Sequence, residues 1–127
     1  MHNGKKYAMF EGHYNYTQAA AKCTQESGIL ALAVDQKTFN VMYNMFMSYW
    51  WPGGEINGAY LDGTYQSNTW FSVNTPDRRL PADVPWHPGR PDYYEDEKCV
   101  SIMSQLNQGL DDTLCPGKRM AMCQLPV

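Results

Sequence analysis

Six of the thirteen acidic residues crowd into two short stretches beside two cysteines. Asp92, Glu95, Asp96 and Glu97 precede Cys99, and Asp111 and Asp112 precede Cys115. If those cysteines are bonded, the two stretches are held near each other. Carboxylates gathered in one place repel unless a cation neutralises them. Oxygen donors with no Cys or His among them suit calcium better than a transition metal. Without the cross-link the same residues make only a solvated acidic loop. Three aromatic residues, Trp86, Tyr93 and Tyr94, flank the acids. The apolar C–H face of a sugar stacks on such rings.

Other chemistries find little support. His2, His13 and His87 have no paired spacing for a metal or a catalytic dyad. No glycine-rich phosphate loop and no nucleophile elbow occurs. None of the loop carboxylates is singled out as a raised-pKa acid for hydrolysis, so an enzyme is not expected. Ten Lys and Arg against thirteen Asp and Glu leave a net charge of -3, with no basic stripe for nucleic acid. No apolar run is long enough to span a membrane. The first residues lack the apolar segment of a signal peptide.

Four cysteines, Cys23, Cys99, Cys115 and Cys123, permit two disulfides in three possible connectivities. No C-x2-4-C spacing offers zinc a site. Two bridges in a small chain point to a secreted, oxidising setting. Asn15-Tyr16-Thr17 is a glycosylation triplet, a pattern short enough to arise by chance.

The elements that must position these residues follow from periodicity. At 127 residues, with 43% hydrophobic and 13% aromatic content, the chain supports one core, so residues 1–127 read as a single domain. Lys6–Phe10 alternates as a strand. A helix over residues 18–27 follows, with Thr17 as N-cap and Gly28 as its stop. Ile29–Ala33 is a buried link. Asp35 caps a second helix whose apolar face carries Phe39, Met42, Tyr43, Phe46 and Trp50. Residues 53–98 are rich in Gly and Pro, and an ordered loop region of that length is usually functional. Two aromatic pieces, Ala59-Tyr60-Leu61 and residues 69–73, interrupt it. Cys99–Met103 and Arg119–Leu125 are further strands. The class is α+β: two helices flanking small antiparallel sheets, with long loops carrying the site.

In this order the pieces resemble the C-type lectin-like domain over essentially the whole chain. The residues at 16–23 resemble its first helix, and Ala59–Gly63 loosely its Trp-Ile-Gly-Leu stretch. Trp86-His87-Pro88-Gly89-Arg90-Pro91-Asp92 resembles its site loop, which implies that Trp86 belongs to the core. Glu97-Lys98-Cys99-Val100, Leu110-Asp111-Asp112-Thr113-Leu114-Cys115 and Ala121-Met122-Cys123-Gln124 complete the frame. The resemblance implies bridges Cys23–Cys123 and Cys99–Cys115, adjacent termini and a cis Arg90–Pro91 bond. It also implies a calcium ion on Asp92, Glu97, Asp111 and Asp112. A sugar would then be held by Arg90, Asp92, Glu97, Asp111, Tyr93 and Tyr94. Asp92 leans toward a galactose-type rather than a mannose-type ligand.

Arg90 is the departure from that pattern. A guanidinium has donors and no acceptor, so it cannot ligate a cation. It either turns aside, where it can bond a ligand hydroxyl or an acidic sugar, or takes the cation's place by pairing with Asp92 or Glu97. The expected protein is thus a secreted, calcium-dependent glycan-binding domain that performs no chemistry, with a homodimer as a route to avidity. The alternative is a calcium-independent domain of the same fold that binds a protein surface.

Overall fold

The computed structural model describes residues 4–51, 56–74, 79–81, 84–93 and 97–126. The chain runs β1 (Lys6–Tyr14), α1 (Tyr16–Gln25), β2 (Ile29–Leu30), α2 (Gln36–Tyr49), β3 (Gly58–Gln66), β4 (Thr69–Phe71), β5 (Glu97–Met103), β6 (Asp111–Leu114) and β7 (Arg119–Leu125).

Helix α1 begins earlier than its sequence suggests. Asn15, not Thr17, is the N-cap, because a glutamine stands three residues after it. The Asn15 side chain accepts the Gln18 N–H and the Gln18 side chain accepts the Asn15 N–H, both at 2.9 Å. At the other end Ser27 rather than Gly28 takes the left-handed conformation, with φ 67°. Asp35 caps α2 as its position suggests, its Oδ1 accepting the Thr38 N–H at 2.8 Å.

The strands form one sheet in the order β1-β7-β3-β5-β6, with β2 added to β7 and β4 to β3. All pairings are antiparallel except β3 with β7. The small antiparallel sheets expected from sequence are therefore a single mixed sheet. Two of its strands ran past their sequence signals. β1 continues to Tyr14, and β3 extends the Ala59-Tyr60-Leu61 piece to Gln66 through residues that pair with β4 and β5. β6 gave no alternation signal because its face residues are Asp111 and Asp112.

The sheet buries both faces. Met120, Met122, Ala59, Leu61, Val100 and Ile102 join the α2 residues Phe39, Met42 and Phe46 in the main core. Their neighbours of opposite parity, Ala121, Cys123, Tyr60 and Cys99, face Tyr16, Ala19 and Cys23 of α1. Period-2 alternation in the strands meets period-3.6 stripes on the two helices. Phe39, Met42 and Phe46 are fully buried, each contributing about 1.5–3 kcal/mol by transfer from water.

Two disulfides tie this frame. Cys23–Cys123 joins α1 to β7, and Cys99–Cys115 joins β5 to the turn after β6. In the chain-entropy model loops of these lengths contribute about 5 and 3 kcal/mol.

The residues before β6 carry the segment that will matter for function. Leu110 donates to the Pro85 carbonyl at 2.8 Å and accepts from the His87 N–H at 2.9 Å, so residues 85–87 lie along the chain entering β6. Gly109 makes that approach possible. A Cβ there would press into the backbone of Pro85, Trp86 and His87. Gly109→Ala is expected to destabilise the protein by about 2 kcal/mol or more through overpacking. A urea midpoint unchanged from the parent protein would contradict this.

Candidate functional site

Residues 84–93 cross the end of β6, and the Asp112 carboxylate fastens them there. Asp112 is fully buried. Its Oδ1 accepts the Asp92 N–H at 3.1 Å and its Oδ2 the Tyr93 N–H at 2.8 Å. Upstream, Arg90 donates its N–H to the His87 carbonyl at 2.8 Å in the turn that contains Gly89. The Arg90–Pro91 bond is cis. Tyr93 sits at φ 55°, a conformation disfavoured for a side chain this large. Its backbone bond to Asp112 and the packing of its ring offset that cost.

The ring lies in a ladder of aromatic side chains. Tyr93 stands 5.0 Å from Tyr65 and 6.4 Å from Trp70, and Trp70 stands 5.1 Å from both Tyr65 and Trp86. Trp86 is half-buried against the main core, as expected. Tyr65 and Trp70 were not legible as site residues. They lie on the β3–β4 hairpin, distant in sequence, and only the fold brings them under Tyr93. The ladder leaves Tyr93 half exposed beside the acids.

Four acids converge at this end of the sheet. β5 supplies Glu97 and β6 supplies Asp111 and Asp112, with Val100 opposite Asp112 and Ser101 opposite Asp111 in the antiparallel register. The loop supplies Asp92. One carboxylate oxygen each from Asp92, Glu97 and Asp112 lies within 4.8 Å of the others. That spacing matches oxygens placed around a calcium ion at about 2.3–2.6 Å. The donor set, oxygen only and mostly carboxylate, fits the same ion.

Asp111 is differently engaged. Arg90 Nε donates to its Oδ1 at 2.7 Å, while Arg90 Nη1 lies 3.4 Å from Asp92 Oδ2. Arg90 therefore turns into the site, and its main partner is Asp111 rather than the Asp92 or Glu97 expected from sequence. Tyr94, Glu95 and Asp96 lie outside the described residues.

The electrostatics follow from this arrangement. Burial, then the Asp112 and Asp92 charges and a hydrogen bond shared with the Asp92 carboxyl, push Glu97 up to about 7. Asp111 is also raised by burial, against the lowering pull of Arg90. Burial raises Asp112, although the two backbone N–H groups oppose it. One guanidinium thus faces four carboxylates, and Glu97 carries the excess.

Another buried carboxylate has a different task. Asp62 accepts the Ser72 hydroxyl and the Val73 N–H, both at 2.6 Å. It pins the segment after β4 and takes no part in the acidic cluster.

Glu97 makes stability depend on pH in a direction opposite to most carboxylates. The folded chain keeps a proton that the unfolded chain releases between about pH 4.5 and 7. With a chelator present, stability is expected to fall as pH rises through that window. Glu97→Gln should leave stability at pH 3.5 nearly unchanged and raise it at pH 8.5 by about 1–2 kcal/mol, allowing for solvent screening. Equal urea midpoints for the two proteins at pH 8.5 would contradict the crowding of these acids.

No protein-family model matches the sequence, and a search of curated proteins returns no match. Solved structures do match. The mouse scavenger receptor C-type lectin carbohydrate-recognition domain is similar at TM-score 0.78 and 14% identity, over 98% of this chain and 92% of that one. Human lithostathine is similar at TM-score 0.77 and 16% identity, with both chains covered in full. A calcium-independent type II antifreeze protein is similar at TM-score 0.75 and 16% identity, over 98% of this chain and 88% of that one. With two helices on one mixed sheet, two disulfides and an irregular site loop, the chain has the C-type lectin-like α+β fold.

Proposed function

We propose that the protein is a non-catalytic recognition domain that binds glycans through a calcium ion held at Asp92, Glu97 and Asp112. The observation that carries this reading is the meeting of those three carboxylates within 4.8 Å. Burial and then the neighbouring acid charges raise Glu97 to about 7, and a divalent cation would favour its ionised form. Bound calcium would supply the positive charge and lone-pair acceptor sites that two vicinal sugar hydroxyls need.

The chain's own groups define the rest. Carboxylate oxygens left free by the cation accept hydroxyl protons. Tyr93, half exposed on its ladder, offers a ring face to the apolar side of the sugar. Arg90, held by Asp111, keeps further N–H donors for a ligand oxygen and favours an acidic sugar over a neutral one. Asp111 is withheld from the cation by that pairing, so three acids rather than four serve it. Galactose-type ligands remain weakly preferred over mannose-type. Secretion accords with the two disulfides, and a homodimer would add avidity. Among the described residues no helix is long and apolar enough to cross a membrane.

One observation favours a second reading. Arg90 already neutralises part of the cluster, and one neighbour of this fold is a calcium-independent antifreeze protein. In that reading the Arg90–Asp111 pair replaces the metal and the surface binds a protein.

Chelator-sensitive retention on immobilised galactose, mannose or sialylated glycans separates the two. Millimolar calcium should raise the melting temperature, by about 2.7 kcal/mol of stabilisation at a hundredfold excess over Kd. Asp112→Ala should abolish the shift. Because Asp112 also fastens the loop, Asp92→Asn, at an exposed position, should abolish it without loosening the fold. Arg90→Glu should tighten calcium about tenfold, roughly 1.4 kcal/mol, while weakening retention of acidic sugars. No retention on any of these glycans, with no calcium shift, would favour the second reading.

A further inference from the structure

A different concavity lies at the opposite edge of the sheet. Phe10 pairs with Ala121 and Tyr14 with Arg119, so β1 advances four residues while β7 advances two. The bulge is a built feature. Gly12 lies against the Tyr14 ring, where a Cβ would fall 2.5 Å from two ring carbons, and Tyr14 Oη donates to the Glu11 carbonyl at 3.2 Å. Bulges re-aim side chains and recur beside binding sites.

Here the displaced residues Glu11, Gly12 and His13 line a cavity of about 170 Å³. Tyr49, Trp50 and Trp51, at the end of α2, line it too. Tyr49 is 42% and Trp51 63% exposed. Trp50 packs against the main core, whereas Tyr49 and Trp51 are large rings left exposed beside it. Clustered apolar exposure of this kind marks an interaction site. The volume is close to that of cavities of about 150 Å³ that admit one benzene, enough for a single small head group.

The chemistry of the lining narrows the ligand. Aromatic faces attract cations. Glu11, an exposed residue of the lining, has no ion-pair partner among the described residues, and His13 is the other titratable group there. Glu11 is the one acid among the described lining residues, which disfavours an anion and gives a bare metal ion too few oxygens there. A cation clothed in apolar surface satisfies both the rings and the acid. We propose that this cavity binds a small organic ammonium group, quaternary or methylated. The β1 and β6 edges are four strand spacings apart, about 19 Å, so the site is separate from the acidic loop and does not depend on its function.

Choline chloride is the probe, and 3,3-dimethylbutan-1-ol is its uncharged counterpart of the same shape. Both are titrated at pH 8, with calcium present throughout, while the tryptophan indole N–H signals are followed by NMR. Saturable shifts of the Trp50 and Trp51 signals with choline are expected, and the neutral counterpart should bind about tenfold more weakly. Trp51→Ala, at an exposed position, should weaken choline about tenfold. Glu11→Gln should weaken choline several-fold and leave the alcohol unchanged. No saturable shift, equal binding of the two probes, or choline binding unaltered in both variants would overturn the proposal. So would a response to methyl glycosides alone, which would make this a sugar-stacking face.

Discussion

Asp112 holds the site loop to the sheet. Its buried carboxylate accepts the N–H groups of Asp92 and Tyr93, and almost everything proposed for the site depends on that pair of bonds. They fix Asp92 beside Glu97, keep Tyr93 in its disfavoured backbone conformation, and set its ring on Tyr65. A carboxylate committed to two backbone donors in a buried place is stiff. The cluster it organises is therefore preformed rather than assembled by a ligand, which lowers the ordering cost of binding.

The same rigidity makes the site electrostatically frustrated. Acids free to move would separate in water. Held by β5, β6 and the loop, they cannot, and burial together with the neighbouring charges raises Glu97. Arg90 answers part of it by pairing with Asp111. A guanidinium satisfies one carboxylate through directed N–H bonds and reaches a second at longer range. It does not lie among all of them as a small cation would. The site is thus divided: one arginine–aspartate pair, and beside it three acids without full compensation.

Much of this was legible in the sequence. The α2 stripe, the Asp35 cap and the last strand follow from spacing and periodicity, while the pairing of the four cysteines follows from the resemblance. The acids flanking Cys99 and Cys115 announced the cluster, and the disulfide that brings them together follows from the resemblance. What was not legible had physical causes. β6 opens with two consecutive buried acids, one toward each side of the sheet, so hydrophobic alternation could not reveal it. The start of α1 was misplaced because Asn15 and Gln18 cap each other, a reciprocal arrangement that outweighs a lone Thr17. Tyr65 and Trp70 reach Tyr93 only through the β3–β4 hairpin. Arg90 was read as able to pair with Asp92 or Glu97, yet the β5–β6 register sets Asp111 within better reach of its Nε.

The central claim is that fixed carboxylates await a cation, and proton release on calcium binding tests it most directly. With Glu97 raised to about 7, calorimetry at pH 6–7 in buffers of different ionisation enthalpy should report proton release on calcium binding, falling toward none at pH 9. Binding heats that do not depend on the buffer, or the absence of any calcium heat, would contradict the account.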